Sequence, residues 1–210
     1  MIVVIGATYL RGASTDTNAM PGGLAGRVAM AAAAAGSRVE LVSKVGEDAA
    51  GDALLLALTR AGVGHVAVLR DAVHRTELHP DPDDTAVDPV ASDAGSIATG
   101  GTVPVLDAAD VGLALRYLTD YVVIVAVHPT PAASAEAITA ADWAGAHLVL
   151  VTLPGAPAFA ALPTGSLVLE VAEEPDGGSA FGSRLGVYAA AVDRGEAPAS
   201  AFAALTAEVV

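Results

Sequence analysis

Short runs of apolar, mostly β-branched residues alternate with alanine-rich stretches along most of this chain, and no other feature restricts its folding as much. The runs at residues 2–5, 39–42, 66–69, 121–127, 147–151 and 167–171 are continuous, without the polar alternation of a half-exposed strand. That is the pattern of strands covered on both faces. Between them, residues 24–35, 50–61, 108–118, 132–144, 180–192 and 198–207 read as helices. The expectation is an α/β fold: a mostly parallel sheet with helices on both faces. With 210 residues, one domain with a sizeable core is the default.

Local chemistry supports these boundaries. Gly36 and Gly62 follow helical runs where a left-handed residue closes the last turn, and Asp107 stands where a cap would satisfy the free amides of the next helix. One segment, 71–104, breaks the alternation: it is rich in Asp, Pro, Thr, Ser and Gly, and reads as a long loop or a small hairpin unit projecting from the sheet.

Composition excludes several classes of function. The formal charge is −14, with one lysine, Lys44. A polyanion is held by Lys and Arg that displace its counterions, so nucleic acid and anionic membranes are not expected partners. The chain has no cysteine, which removes disulfides, thiolate metal sites and thiol nucleophiles. The opening MIVVIG lacks the basic region and longer apolar core of a signal peptide, and no stretch approaches the roughly 18 apolar residues of a membrane span, so a cytoplasmic location is expected. Lysine scarcity with abundant Ala, Asp and Arg suggests a GC-rich genome, and the acidity is equally compatible with a high-salt cytoplasm.

The stretch PGGLAGRVAMAAAAAGSRVELVSKVGEDAAGDALLLALTRAGVGHVAV, from Pro21, is the most informative. Gly22 and Gly23 open a helix; Val45, Gly46, Asp48 and Gly51 form a V-G-x-D-x-x-G turn; Gly62 and Val63 lead into another strand. With the first strand, this resembles the amino-terminal part of the ribokinase-like (PfkB) carbohydrate kinases. A second run, DGGSAFGSRLGVYAAAVDRGEAPASAFAAL from Asp176, is similar to that family's G-A-G-D-A-F motif and the helix that follows it.

The resemblance implies ATP-dependent phosphorylation of a sugar hydroxyl, with Gly177 and Gly178 presenting amides to the phosphate at a helix amino terminus and an aspartate acting as general base. Aligning Ala180 and Phe181 with the family's Ala-Phe places Ser179 at that aspartate's position. An unassisted hydroxyl is a very weak base at neutral pH, and loss of a positioned base costs about 10²–10⁴-fold in rate. Asp176 would set a carboxylate beside the bound anion, or serve as a displaced base.

Other positions depart too. Where the family has an acidic sugar-holding residue after the first strand, this chain has Arg11, with Asp16 the only acid close by. The asparagine that usually follows the paired glycines is Gly26, and the N-x-x-E motif of the magnesium region has no counterpart, since Asn18 is the only asparagine. The stretch VTLPGAPAFAAL from Val151 is either a remnant of the nucleotide-binding T-x-G-x-x-G turn or an earlier segment followed by a deletion.

The expected reading is therefore a shortened, diverged kinase homologue, impaired in catalysis, with Asp16, Gly22, Gly23 and Gly26 toward a sugar or other small metabolite. ATP and magnesium enter only if kinase activity survives. The 71–104 segment stands in place of the family's lid, through which homodimers often form. The alternatives are a metabolite-binding or structural dimer without catalysis, and an active kinase using Asp176.

Each residue also has a plainer role. The glycines serve backbone geometry first, Asp48 caps the helix near Ala50, and Ser179 or Asp176 caps the helix after them. His74, Glu77, His79, Asp81, Asp83, Asp84 and Asp88 match no cation-binding loop, because Ala86 and Ser92 stand where a calcium loop starting at Asp81 needs glycine and glutamate. They read as a solvated acidic loop, and no metal site is expected. His128, at the end of an apolar strand, is the histidine best placed for a ligand.

Overall fold

The computed structural model describes residues 1–79, 102–159, 161–172 and 179–207. A six-stranded sheet runs in the order β5-β4-β1-β7-β8-β9, from β1 (Ile2–Ile5), β4 (Val39–Gly46), β5 (Val68–Asp71), β7 (Val123–Val127), β8 (His147–Thr152) and β9 (Leu167–Glu170). Every neighbouring pair is parallel. A second sheet, β3-β2-β6, joins β2 (Tyr9–Arg11), β3 (Met20–Gly22) and β6 (Leu78–His79).

Helices cover both faces of the large sheet. Ile2 and Val4 point into one core with α1 (Gly23–Ala34), α2 (Ala49–Arg60), α5 (Ser179–Asp193) and α6 (Pro198–Ala207). Val3 and Ile5 point into the other, with α3 (Ala108–Tyr117) and α4 (Pro131–Ala144). All four residues of β1 are at most 2% exposed, which is why that strand reads as a continuous apolar run. Each fully buried Leu, such as Leu54, Leu58 and Leu185, contributes roughly 1.5–3 kcal/mol relative to exposure.

The helix ends follow from the residues at them. Asp48 Oδ1 accepts from the Gly51 amide at 2.8 Å. Asp107 and Asp110 form a reciprocal capping box at α3. Thr130 caps α4, Pro131 fills its first position, and Gly145 closes it at φ 64°. Gly36 and Gly62 adopt φ 89° and 72° after α1 and α2, as their placement predicts.

The strands depart from the sequence reading at several points: β4 runs on to Gly46. β5 begins at Val68, since Val66 is 80% exposed, and β7 begins at Val123. The small sheet is unanticipated: its strands have two or three residues each, too few to show a period. Of the 71–104 segment, Asp71 ends β5 and Leu78–His79 pairs with Leu10 and Arg11; residues 80–101 lie outside the described residues. No described helix is long and apolar enough to cross a membrane.

Candidate functional site

The order of the strands locates a crevice. After β1 the chain returns along α1 on one face, and after β7 it returns along α4 on the other, although β1 and β7 are neighbours. Where connections diverge in this way, a cleft opens beyond the carboxyl ends of the strands. Gly6 and His128 stand at those ends. A side chain on Gly6 would meet Ala25 and the Val127 carbonyl at 3.0 Å, so β1, α1 and β7 close on one another here only because position 6 has none.

The paired glycines open α1 beside this point. Gly23 takes φ +80° over the Ala7 carbonyl, and a Cβ on Gly22 would fall inside the Tyr9 ring. Gly26 faces Thr8, whose buried hydroxyl donates to the Gly22 carbonyl at 2.8 Å. Gly22, Gly23 and Gly26 thus form one tight turn, each with a packing reason. No side chain caps α1 and no acid lies in its first turn, so its amide end keeps its partial positive charge.

Asp16 is elsewhere. β2 and β3 pair from Tyr9 with Gly22 to Arg11 with Met20, and Asp16 lies beyond the second end, at the exposed tip. There its Oδ1 accepts from the Asn18 amide at 2.8 Å. The hairpin separates it from the glycines.

The start of α5 comes to the same end as α1. A Cβ on Gly182 would lie 3.0 Å from Leu24 and Arg27, and one on Gly186 would lie 2.6 Å from Ala31 and the Val28 carbonyl. Contacts that advance together along both helices mean parallel packing, with glycines admitting the close approach. Ser179, the first residue of α5, therefore begins its helix level with Gly22 and Gly23. Asp176, Gly177 and Gly178 lie outside the described residues.

The V-G-E-D-A-A-G turn is a lock. Gly46 donates to the Thr76 hydroxyl at 2.9 Å, and the Thr76 amide donates to Asp48 Oδ2 at 2.9 Å. Burial acts to raise the Asp48 pKa, but hydrogen bonds from Gly51 and Thr76 outweigh it and hold the carboxyl below its usual range. Next to it, Asp71 accepts from the His74 ring at 2.8 Å and from two amides, chiefly the ring bringing its pKa down to about 2.

On the α4 face, a cavity of about 520 Å³ lies between α4 and the connection after β8. The sequence marks His128 only as the end of an apolar strand and gives no sign of the cavity walls, because residues 153–159 have no period to read. His128 has φ 44°, a left-handed conformation whose cost in a residue other than glycine is of order 1–3 kcal/mol. Its Nε2 is enclosed without a hydrogen-bond partner. His147, by contrast, is paired: its Nε2 lies 2.7 Å from the Tyr188 hydroxyl, and burial pushes its pKa down.

This parallel sheet with glycine-lined helix starts is the fold of the ribokinase-like sugar kinases. Residues 2–79 match the sequence model of the pfkB family carbohydrate kinases, the family that the glycine motifs resemble. Aminoimidazole riboside kinase from Salmonella enterica, solved with aminoimidazole riboside and an ATP analogue, superposes with a TM-score of 0.51 at 17% identity, over 72% of this chain and 49% of that one. A sugar kinase from Pyrococcus horikoshii in complex with ATP gives 0.51 at 15% identity, over 72% and 52%. Fructokinase from Xylella fastidiosa gives 0.50 at 16% identity, over 97% and 68%. The chain spans about half the length of the first two kinases. No curated protein matches the sequence.

Proposed function

We propose that this chain is a catalytically impaired relative of the pfkB carbohydrate kinases, a pseudokinase that holds a sugar or similar small metabolite where α1 and α5 begin. One observation supports the reading: the helix that starts level with the paired glycines begins with Ser179, the residue that the Ala-Phe motif alignment sets against the family's general base. The uncapped amides of α1 supply donors for hydroxyls, while a serine at the start of α5 gives no group able to take the sugar's proton.

The described residues do not fit magnesium and ATP. Lys44, the single lysine, is held by Asp110 at 2.9 Å, which leaves it no role against a triphosphate. Asn18 is at the exposed hairpin tip, and among the described residues no group of three or more His, Asp or Glu could hold a metal ion. A homodimer through residues 71–104 belongs to the same proposal.

The test combines turnover and binding. Incubated with ATP, magnesium and a panel containing ribose, fructose and a riboside, the protein should release no ADP above the level without sugar. At least one sugar should raise Tm saturably. Turnover that Asp176→Ala abolishes would overturn the impaired reading in favour of a displaced base. Absence of any thermal shift would overturn the binding role, leaving an oligomeric one to be read by solution sizing with and without residues 80–101.

A further inference from the structure

We propose that the ligand held where α1 and α5 begin carries an oxyanion, a carboxylate or a phosphate, and that Arg27 is the residue that selects it. This rests on the proposed binding role of the glycine turn and narrows its occupant from sugars in general to acidic ones.

Arg27 stands one turn after Gly23 on α1, and its stem packs against Gly182, three residues after the start of α5. Side chains on a helix lean toward its amide end, which carries the head of Arg27 toward the level of Gly23 and Ser179. Its Nε is enclosed without a hydrogen-bond partner, but its terminal nitrogens are not enclosed, and the residue is only partly buried. The fork of the guanidinium is therefore open to a ligand.

Its charge is uncompensated. Other described cations have partners: Arg38, Lys44 and Arg70 lie by Glu40, Asp110 and Asp52, while Arg60 and Arg194 donate to carbonyls. Arg27 has neither kind of contact among the described residues, although the chain holds 24 acids. It also leans toward two positive helix ends. α1 has no side-chain cap and no acid in its first turn, and α5 has no acid in its first turn. Cations are favoured at the opposite end of a helix, so an unpaired guanidinium here is a repulsion that a bound oxyanion relieves. One guanidinium takes one carboxylate or one phosphate through two parallel hydrogen bonds.

The test sets each acid against its neutral counterpart: D-glucuronate against D-glucose, and D-ribose 5-phosphate against D-ribose, titrated calorimetrically at low salt. At least one acid should bind about tenfold or more tightly than its counterpart, and its affinity should fall as salt rises. Arg27→Met, which keeps a stem against Gly182, should weaken that acid about tenfold to a hundredfold, the range for hydrogen bonds to a charged group, and close the gap between the pair. Circular dichroism checks the fold, with Arg27→Gln as the second variant. Preference for glucuronate alone assigns a carboxylate, and for ribose 5-phosphate alone a phosphate. Equal affinity within both pairs overturns the charge class and leaves the site standing. A preference that survives in the folded variants overturns the role of Arg27. Absence of binding by all four compounds overturns the site at the glycine turn and this assignment with it.

Discussion

Lys44 Nζ and the Asp107 amide share one acceptor, Asp110 Oδ2, at 2.9 Å and 3.1 Å. The oxygen that completes the capping box of α3 also ties that helix to β4. It fixes where the chain rejoins the sheet after residues 80–101. Lys44 and Asp110 are 21% and 17% exposed, enough burial to lift the pair above the near-zero value of surface ion pairs.

Asp110→Ala should therefore cost about 1–2 kcal/mol in urea unfolding, and Lys44→Met about 1 kcal/mol. The hydrogen bond to Asp110 chiefly raises the Lys44 pKa above 10.5, against desolvation. A raised lysine stabilises fully below its unfolded value, and that contribution disappears as pH climbs through the folded one. Wild type should lose more stability than Lys44→Met between pH 9 and pH 12. Equal losses would show that the pair contributes nothing.

His147 gives the opposite sign at lower pH. Burial lowers its pKa below 6.5, so as pH falls the unfolded chain takes up a proton before the folded one does. The contribution is complete above about 6.5 and is lost as pH drops toward the folded value. Urea midpoints should fall between pH 7 and pH 5 in wild type and fall less in His147→Gln, whose amide can still meet the Tyr188 hydroxyl. Identical slopes would remove His147 as the cause.

Parallel packing of α1 on α5 rests on glycine. In Gly186→Ala the new methyl would meet Ala31 and the Val28 carbonyl at 2.6 Å, and overpacking of this kind costs about 1–3 kcal/mol. Tm should fall by several degrees. Adding Ala31→Gly should restore only part of the loss, because the Val28 carbonyl is backbone and cannot be trimmed. Full recovery would mean that the backbone contact is not limiting.

The strands of the large sheet and all six helices were legible because their period and caps lie within single segments: Asp48, Asp107, Gly36 and Gly62 each act on a neighbour a few residues away. The small sheet was not, since Leu10 meets Leu78 only after the intervening chain has folded. The same applies to the site. The V-G-E-D-A-A-G motif reads as a capped turn, and Asp48 does cap α2, but its second partner, Thr76, is 28 residues distant. Asp16 stands five positions after Arg11, at the tip of the β2–β3 hairpin, whose two strands set it apart from Gly22 and Gly23.

That distant partner makes the small sheet sensitive to acid. Asp48 and Asp71 hold residues 71–76 against the end of β4, and both carboxyls lie below 3.8 when folded, Asp71 at about 2. A depressed carboxyl stabilises above its unfolded value and loses that contribution as pH falls through the folded one. The lock should open between about pH 4 and pH 2. Leu10 and Gly12, whose amides donate to the carbonyls of Glu77 and His79, should then exchange hydrogen earlier than Val4 in the central strand. Asp48→Asn keeps an acceptor for Gly51 but turns an NH2 toward the Thr76 amide, so it should flatten this dependence at a cost of about 1–3 kcal/mol, and Asp48→Ala, which leaves both amides without Asp48, should cost at least as much at neutral pH. Uniform exchange of Leu10, Gly12 and Val4 across that range would show that the small sheet opens only with the whole fold.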